Sequence, residues 1–202
     1  MSITALEAGS KLKLLGERVA LSEVEEVNDS GLELPANRTK QHVICQVVSV
    51  GDGKVGEETK PMWPTTGDVI LIQMNPMLAK QMSQRVGEIP LFVVHQNDCI
   101  ARILNRAVTY ENFSPLGRWV FIRVDFEQQA GNIWLPQGEL FSHSGDTKFF
   151  FESCGAGANL DFKQGQQIYC DKTRVNVLSL NGKKYAYIDR DSVIGWADSP
   201  GD

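Results

Sequence analysis

The chain has 202 residues and a mass of 22.4 kDa, room for one large domain or two small ones. Hydrophobic residues make up 42% and charged residues 22%, the balance of a globular chain rather than a disordered one. Residues 1–110 carry 11 basic and 13 acidic groups and residues 111–202 carry 9 and 12, an even spread of the net charge of -5 that offers nucleic acid no basic face; no apolar run approaches the roughly 20 residues of a membrane span.

The first residues, Met1 to Ala8, lack a basic stretch followed by an apolar core, so no secretory signal is expected and a cytoplasmic location is. Short β-rich runs then follow in order: Arg18–Val24, His42–Val50, Asp68–Ile72, Pro90–Val94, Trp119–Asp125, Lys148–Glu152, Gln167–Cys170, Arg174–Leu178 and Lys184–Ile188. Ser192 to Trp196 closes the series as a strand or a short turn. Gly, Pro, Asn and Asp separate the runs at short, regular spacings, the pattern of a barrel or sandwich. One segment, Pro76 to Arg85, favours helix by residue type, although ten residues make a marginal helix. The fold class read from this pattern is all-β.

Cys45, Cys99, Cys154 and Cys170 are scattered without a C-x-x-C pair, and His42, His95 and His143 lie far apart. Neither a zinc site nor a disulfide framework is expected; buried, reduced strand thiols are.

A repeat organises the runs. Leu15-Gly16-x-x-Val19 recurs as Leu116-Gly117-x-x-Val120, and at the same offset of 101 residues Leu32-Glu-Leu-Pro35 falls on Ile133-Trp-Leu-Pro136. Further on, Gly51-Asp-Gly53 pairs with Gly155-Ala-Gly157, Gly67 with Gly165, and Asp98-Cys-Ile-Ala with Asp191-Ser-Val-Ile. Five landmarks in one order predict two similar β domains, residues 11–105 and 112–198, joined by a short linker.

Each unit resembles a co-chaperonin of the GroES type, the ten-kilodalton chaperonin family. In unit 1 the resemblance rests on Arg18-Val19, an acidic stretch, Gly31-Leu-Glu-Leu-Pro35, Val47 to Gly53, Gly67-Asp68-Val-Ile-Leu and the closing Val93 to Ile103. In unit 2 it rests on Gly131 to Pro136, Gly155-Ala-Gly157 and Asn181 to Asp191. The resemblance implies two tandem, partly open β-barrels that assemble into a ring and cap a GroEL-type chaperonin around an unfolded client. ATP is bound by that partner; this chain needs no cofactor. It also implies that an apolar tripeptide before Pro, at the tip of a loop between the first two strands, docks on the chaperonin. The corresponding residues are Leu32, Glu33 and Leu34 in unit 1 and Ile133, Trp134 and Leu135 in unit 2. Taken without the family, Leu-x-Leu-Pro reads first as a strand edge with alternating inward residues.

Two departures matter. Glu33 stands where an apolar residue is expected, and Trp134 makes the second tip the greasier. Lys54 to Pro64 matches the family's roof hairpin, whereas only seven residues separate Gly157 from Gly165, so unit 2 lacks a roof. Phage-encoded members resemble that roofless form, and for one of these the location is the host cytoplasm. Whole two-domain chains also cannot fill a seven-position ring, because seven is odd.

Enzymatic readings have weaker support. Gly51-Asp-Gly53-Lys-Val-Gly56 reads as G-x-G-x-x-G, but Pro61 and Pro64 preclude the helix that a dinucleotide site needs, and a β-turn is expected instead. Asp189-Arg190-Asp191 reads as a solvated turn, and neither His42 nor His95 has a nucleophile elbow nearby. No catalysis is expected. The remaining alternative is a phage or cellular structural protein that reuses the barrel without binding a chaperonin.

Overall fold

A computed structural model describes residues 5–24, 41–74, 83–86, 89–104, 112–125, 147–180 and 183–197. Backbone contacts divide the chain into two units, Met1–Gly117 and Arg118–Asp202.

Unit 1 opens with a one-turn helix α1 (Ala5–Ser10), followed by β1 (Arg18–Glu23), β2 (Gln41–Val50), the two-residue strands β3 (Lys54–Val55) and β4 (Glu58–Thr59), and β5 (Val69–Met74). Then come β6 (Ser83–Val86), β7 (Ile89–His95), β8 (Cys99–Ile103) and β9 (Phe113–Pro115). Seven of these form one antiparallel sheet in the order β6-β7-β1-β2-β5-β8-β9, and β3 and β4 form a hairpin of their own. Unit 2 contains β10 (Trp119–Asp125), β11 (Lys148–Cys154), β12 (Gln167–Cys170), β13 (Asn176–Leu180), β14 (Lys183–Asp189) and β15 (Val193–Trp196). Its sheet runs β13-β14-β10-β11-β12-β15. The all-β expectation holds.

Alternating residues of each sheet face one core. In unit 1 this is Val19, Leu21, Cys45, Val47, Ile70, Ile72, Val94, Cys99 and Leu116. The opposite face of β1 and β2 is covered as well: Ala20, Val48 and Leu91 are buried beneath Ala5, Leu12 and Leu14. The core of unit 2 is Val120, Ile122, Phe149, Phe151, Ala158, Ile168, Cys170, Ala186 and Ile188. The central strands therefore bury consecutive residues, Val19–Leu21, Ile70–Ile72, Cys99–Ala101 and Val120–Ile122, as strands covered on both faces do.

The same backbone bonds recur in both sheets. Gly51 N donates to Arg18 O at 2.8 Å and Gly155 N to Trp119 O at 2.9 Å; Gly67 N donates to Val47 O at 2.8 Å and Gly165 N to Phe151 O at 2.7 Å. The register slips between Ala20 and Leu21 on β1 and between Phe121 and Ile122 on β10. The last landmark needs a correction of one residue. Cys99 stands opposite Ile72 just past a slip in β5, and Val193 stands opposite Cys170 just past a slip in β12. Asp98 therefore corresponds to Ser192, not Asp191.

Two other expectations change. Ser83–Arg85, the last three residues of the expected helix, belong instead to the edge strand β6, which pairs with β7 from Ser83↔Phe92 to Val86↔Ile89. Pairing with β7 supplies hydrogen bonds that a ten-residue helix, short of its cooperative length, does not outweigh. The rest of that expected helix, residues 76–82, lies outside the described residues. Secondly, Phe113–Pro115 falls within the second expected domain, yet it pairs with β8 and belongs to the first sheet.

Candidate functional site

The residues singled out for docking, Leu32, Glu33, Leu34, Ile133, Trp134 and Leu135, lie outside the described residues. Their anchors are described. Residues 25–40 follow β1 and precede β2, whose Glu23 and Cys45 are paired, and residues 126–146 run between Asp125 and Lys148, paired across β10 and β11. Each segment thus connects the first two strands of its sheet.

At the other end of β1 the chain closes a corner. Gly53 N donates to Gly16 O at 3.1 Å, and the Asp52 carboxylate accepts from Gly16 N at 2.8 Å and Lys54 N at 3.1 Å. The hydrogen bonds from Lys54 and Gly16 hold the Asp52 pKa below its usual value. Gly51 is required by proximity, since a Cβ there would lie 2.1 Å from Gly16 O. The G-x-G-x-x-G run is therefore a β-hairpin, with Lys54↔Thr59 and Val55↔Glu58 paired and exposed to solvent. No helix N-terminus is available there for a phosphate.

A buried carboxamide ties this hairpin to the sheet. Gln96 Nε2 donates to Glu17 Oε1 at 2.8 Å and to Pro61 O at 3.2 Å, and its Oε1 accepts from Trp63 N at 3.0 Å. Lys60 Nζ lies 3.3 Å from Glu17 Oε2, and His95 Nε2 lies 3.7 Å from the same oxygen. The Gln96 bond, then Lys60 and His95, lower the Glu17 pKa against the opposing effect of burial. Arg102 completes the return: it pairs with Asp68 at 2.9 Å and donates to Trp63 O at 3.2 Å. None of these partners is near in sequence, so local pattern gave no sign of them.

Unit 2 builds the equivalent corner from charge. Arg118 donates to Asp189 Oδ1 at 2.8 Å and also pairs with Asp191. Burial opposes the guanidinium charge, but the bonds and charges of Asp191 and Asp189 outweigh it and raise the Arg118 pKa. The two carboxylates flanking Arg190 are thus arginine partners rather than an acid–base pair. In place of a hairpin, the chain after Gly155 makes one short turn over Ala156–Ala158 with Asn159 at φ 49°.

The four cysteines sit in strands as free thiols, with Cys45, Cys99 and Cys170 buried. His42 is buried in β2, while His95 is half-exposed and its Nδ1 accepts from Asn97 N at 3.2 Å. Among the described residues no group of three or more His, Cys, Asp or Glu side chains is placed to hold a metal ion. No helix among them is long and apolar enough to cross a membrane.

Compared with known proteins, residues 11–103 match the model of one family, Cpn10, the chaperonin 10 Kd subunit. The match covers most of unit 1 and ends before unit 2 begins. No curated protein matches the chain.

Proposed function

We propose that this chain, which through residues 11–103 belongs to the chaperonin 10 kDa subunit family, is a co-chaperonin that caps a GroEL-type chaperonin and assists ATP-dependent folding of an enclosed client. The family match carries this reading. It brings with it a chaperonin partner and an oligomeric ring. The chain catalyses no reaction and binds no cofactor; the nucleotide belongs to the partner. Unit 2 acts as a second domain of the same kind, a reading supported by the shared glycine bonds and slips of the two sheets.

Docking falls to Leu32, Glu33 and Leu34 in one unit and Ile133, Trp134 and Leu135 in the other. Burying one Leu or Ile side chain is worth about 1.5–3 kcal/mol, so one tip binds weakly once its ordering is subtracted. A ring presents several tips together, and multivalency converts weak contacts into a firm but reversible cap. Glu33 makes the first tip the weaker of the two. The exposed hairpin Lys54–Thr59 serves as the roof element over unit 1 alone.

The test is capture of the full-length chain by a GroEL-type chaperonin with ATP. Ile133→Asp with Leu135→Asp is expected to lower capture at least tenfold, and Leu32→Asp with Leu34→Asp less. An ATP-dependent refolding assay then separates function from contact. If wild type binds and neither double variant weakens binding, the tips are misassigned; if no chaperonin binds at all, the structural-protein alternative takes precedence.

A further inference from the structure

The chain passes from one unit to the other through a single residue. Leu116 N donates to Ile100 O at 2.9 Å in unit 1, and Arg118 O accepts from Arg190 N at 3.0 Å in unit 2. Gly117 lies between them, the last residue of unit 1, with φ 53°. A glycine in that left-handed region turns with little steric resistance, so its neighbours decide whether it is free.

One neighbour is Trp63. A Cβ at Gly117 would lie 2.8 Å from the indole Cδ1 and 2.9 Å from Nε1, so the ring rests against the glycine backbone where any other residue would carry its side chain. The half-buried indole also packs against the unit 1 core, in which Leu116 is buried. The segment Pro61 to Pro64 brings it there, and each end is a proline with a fixed φ. Its backbone is held at three points. Gln96 Nε2 donates to Pro61 O at 3.2 Å and its Oε1 accepts from Trp63 N at 3.0 Å, while Arg102 donates to Trp63 O at 3.2 Å.

The same segment continues the exposed hairpin. Lys60 N donates to Gly53 O at 2.9 Å and closes the hairpin base, and Pro61 and Met62 alone separate that base from Trp63. The arrangement does not recur at the start of unit 1. Gly16, the counterpart of Gly117, also has a positive φ of 62°, but among the described residues a Cβ there would meet no ring, only Lys54 O at 3.2 Å. The family match ends at residue 103, so the contact on Gly117 joins a segment inside the match to one outside it.

We infer that Pro61–Pro64 is a clasp on this crossover. With the indole seated, Gly117 is held; a pull on the hairpin lifts the indole, and Gly117 then serves as the hinge between the two units. The device has two discrete states, because a ring either fills the space over Gly117 or leaves it. Prolines at both ends keep the segment stiff, so displacement of the hairpin base reaches Trp63 instead of being absorbed on the way. Whatever engages the exposed strands Lys54–Val55 and Glu58–Thr59 thereby sets the freedom of the crossover. The clasp belongs to the chain alone and does not depend on chaperonin capping.

The experiment is amide hydrogen exchange of the full chain in wild type, Trp63→Ala and Gly117→Ala, the last of which keeps the indole but puts a methyl group in its seat. The Leu116 amide is expected to exchange at least tenfold faster in both variants, while Ile70 and Ile122, buried in the two sheets, stay within about threefold of wild type. Unchanged exchange at Leu116 overturns the clasp, and so does equal acceleration at all three amides, which would mean that the sheets loosen at large. Trypsin cleavage after Arg118, read by mass, is expected to rise in step; cleavage as slow as in wild type overturns the hinge. The lever is tested with Gly53→Ala, whose methyl group would lie 2.3 Å from Lys60 O and pry the hairpin base apart, beside Thr59→Ala on the exposed strand. Both carry 5-fluorotryptophan, and the Trp63 signal is identified by its loss in Trp63→Phe. Gly53→Ala is expected to shift that fluorine resonance and to speed Leu116 exchange at least fivefold, and Thr59→Ala to do neither. A resonance or an exchange rate equal to wild type in Gly53→Ala overturns the coupling of hairpin and hinge, as does an equal response in Thr59→Ala. No chaperonin enters these measurements, so failure here is separable from failure of the docking test.

Discussion

Gln96 and Glu17 lie 79 residues apart in the chain, and the buried carboxamide of one donates to the carboxylate of the other at 2.8 Å. The same carboxamide holds Pro61 and Trp63, so one side chain fixes the root of the exposed hairpin, the start of β1 and the end of β7. Replacing it by leucine keeps the volume but leaves Glu17 and the Trp63 amide without this partner. The cost of such orphaned groups is about 1–3 kcal/mol. Gln96→Leu is therefore expected to lower the denaturant midpoint with an unchanged slope, measured by circular dichroism. A midpoint equal to wild type would remove this residue as the hairpin's tether.

Glu17 makes the same corner pH-dependent. Its carboxyl is held below the ordinary value of 4.5, first by Gln96 and then by Lys60 and His95. A group with a lowered folded pKa contributes stability above its unfolded pKa and loses it as pH falls through the folded one. Between pH 7 and about 5 wild type should hold its stability, and below about 4.5 it should lose more than Glu17→Gln does. Melting temperatures of the two proteins from pH 7 to 3 provide the comparison; parallel curves would mean that Glu17 titrates normally.

Glycine at two positions gives opposite expectations. At Gly51 an added methyl would sit 2.1 Å from the Gly16 carbonyl oxygen, which belongs to backbone and cannot swing aside. Gly51→Ala is expected to cost about 1–3 kcal/mol, as overpacked sites do. Gly195 has open space at the same point, and its counterpart on β8 is already alanine. Gly195→Ala should change stability by no more than about 0.5 kcal/mol. Paired denaturation curves test both, and equal midpoints would show that the Gly51 corner relaxes freely.

Much of this fold was legible because the strands carry their own signal. His42–Val50 and Trp119–Asp125 alternate or run apolar between turn residues, and the glycine landmarks that matched between units make the same backbone bonds in both. The failures were tertiary. Ser83–Arg85 reads as helix by residue type, and only β7 beside it makes it a strand. Phe113–Pro115 is too short and proline-ended to read as a strand, and β8 recruits it. Gln96 carried no signal of its role, because its three partners, Glu17, Pro61 and Trp63, lie on distant segments. The one-residue slip at Asp98 came from matching aspartates by type, where the sheet register aligns Asp98 with Ser192. The docking tips were legible only through the family resemblance, since an apolar tip before proline has no local chemistry of its own.

The four thiols provide a probe of both cores at once. Burial pushes Cys45 up to about 12, with the Glu23 charge adding to it, and Cys170 up to about 12, helped by Asp171. Cys99 is raised as well, by burial first and then by Asp98 and Cys45. The thiolate is the reactive form, so at pH 8 the buried Cys45, Cys99 and Cys170 stay protonated and inert, whereas an ordinary exposed thiol is partly ionised. Cys154 is only half-buried and its rise is driven by a weaker burial, so it is the thiol that reacts first. A disulfide reagent at pH 8 is expected to modify at most one thiol per folded chain within an hour, and all four in guanidinium. Cys154→Ser should abolish the native-state reaction. Rapid modification of Cys45 or Cys99 in folded protein would instead mean that the unit 1 sheet opens at β5, the strand that pairs with both β2 and β8, and with it the core beneath the hairpin corner.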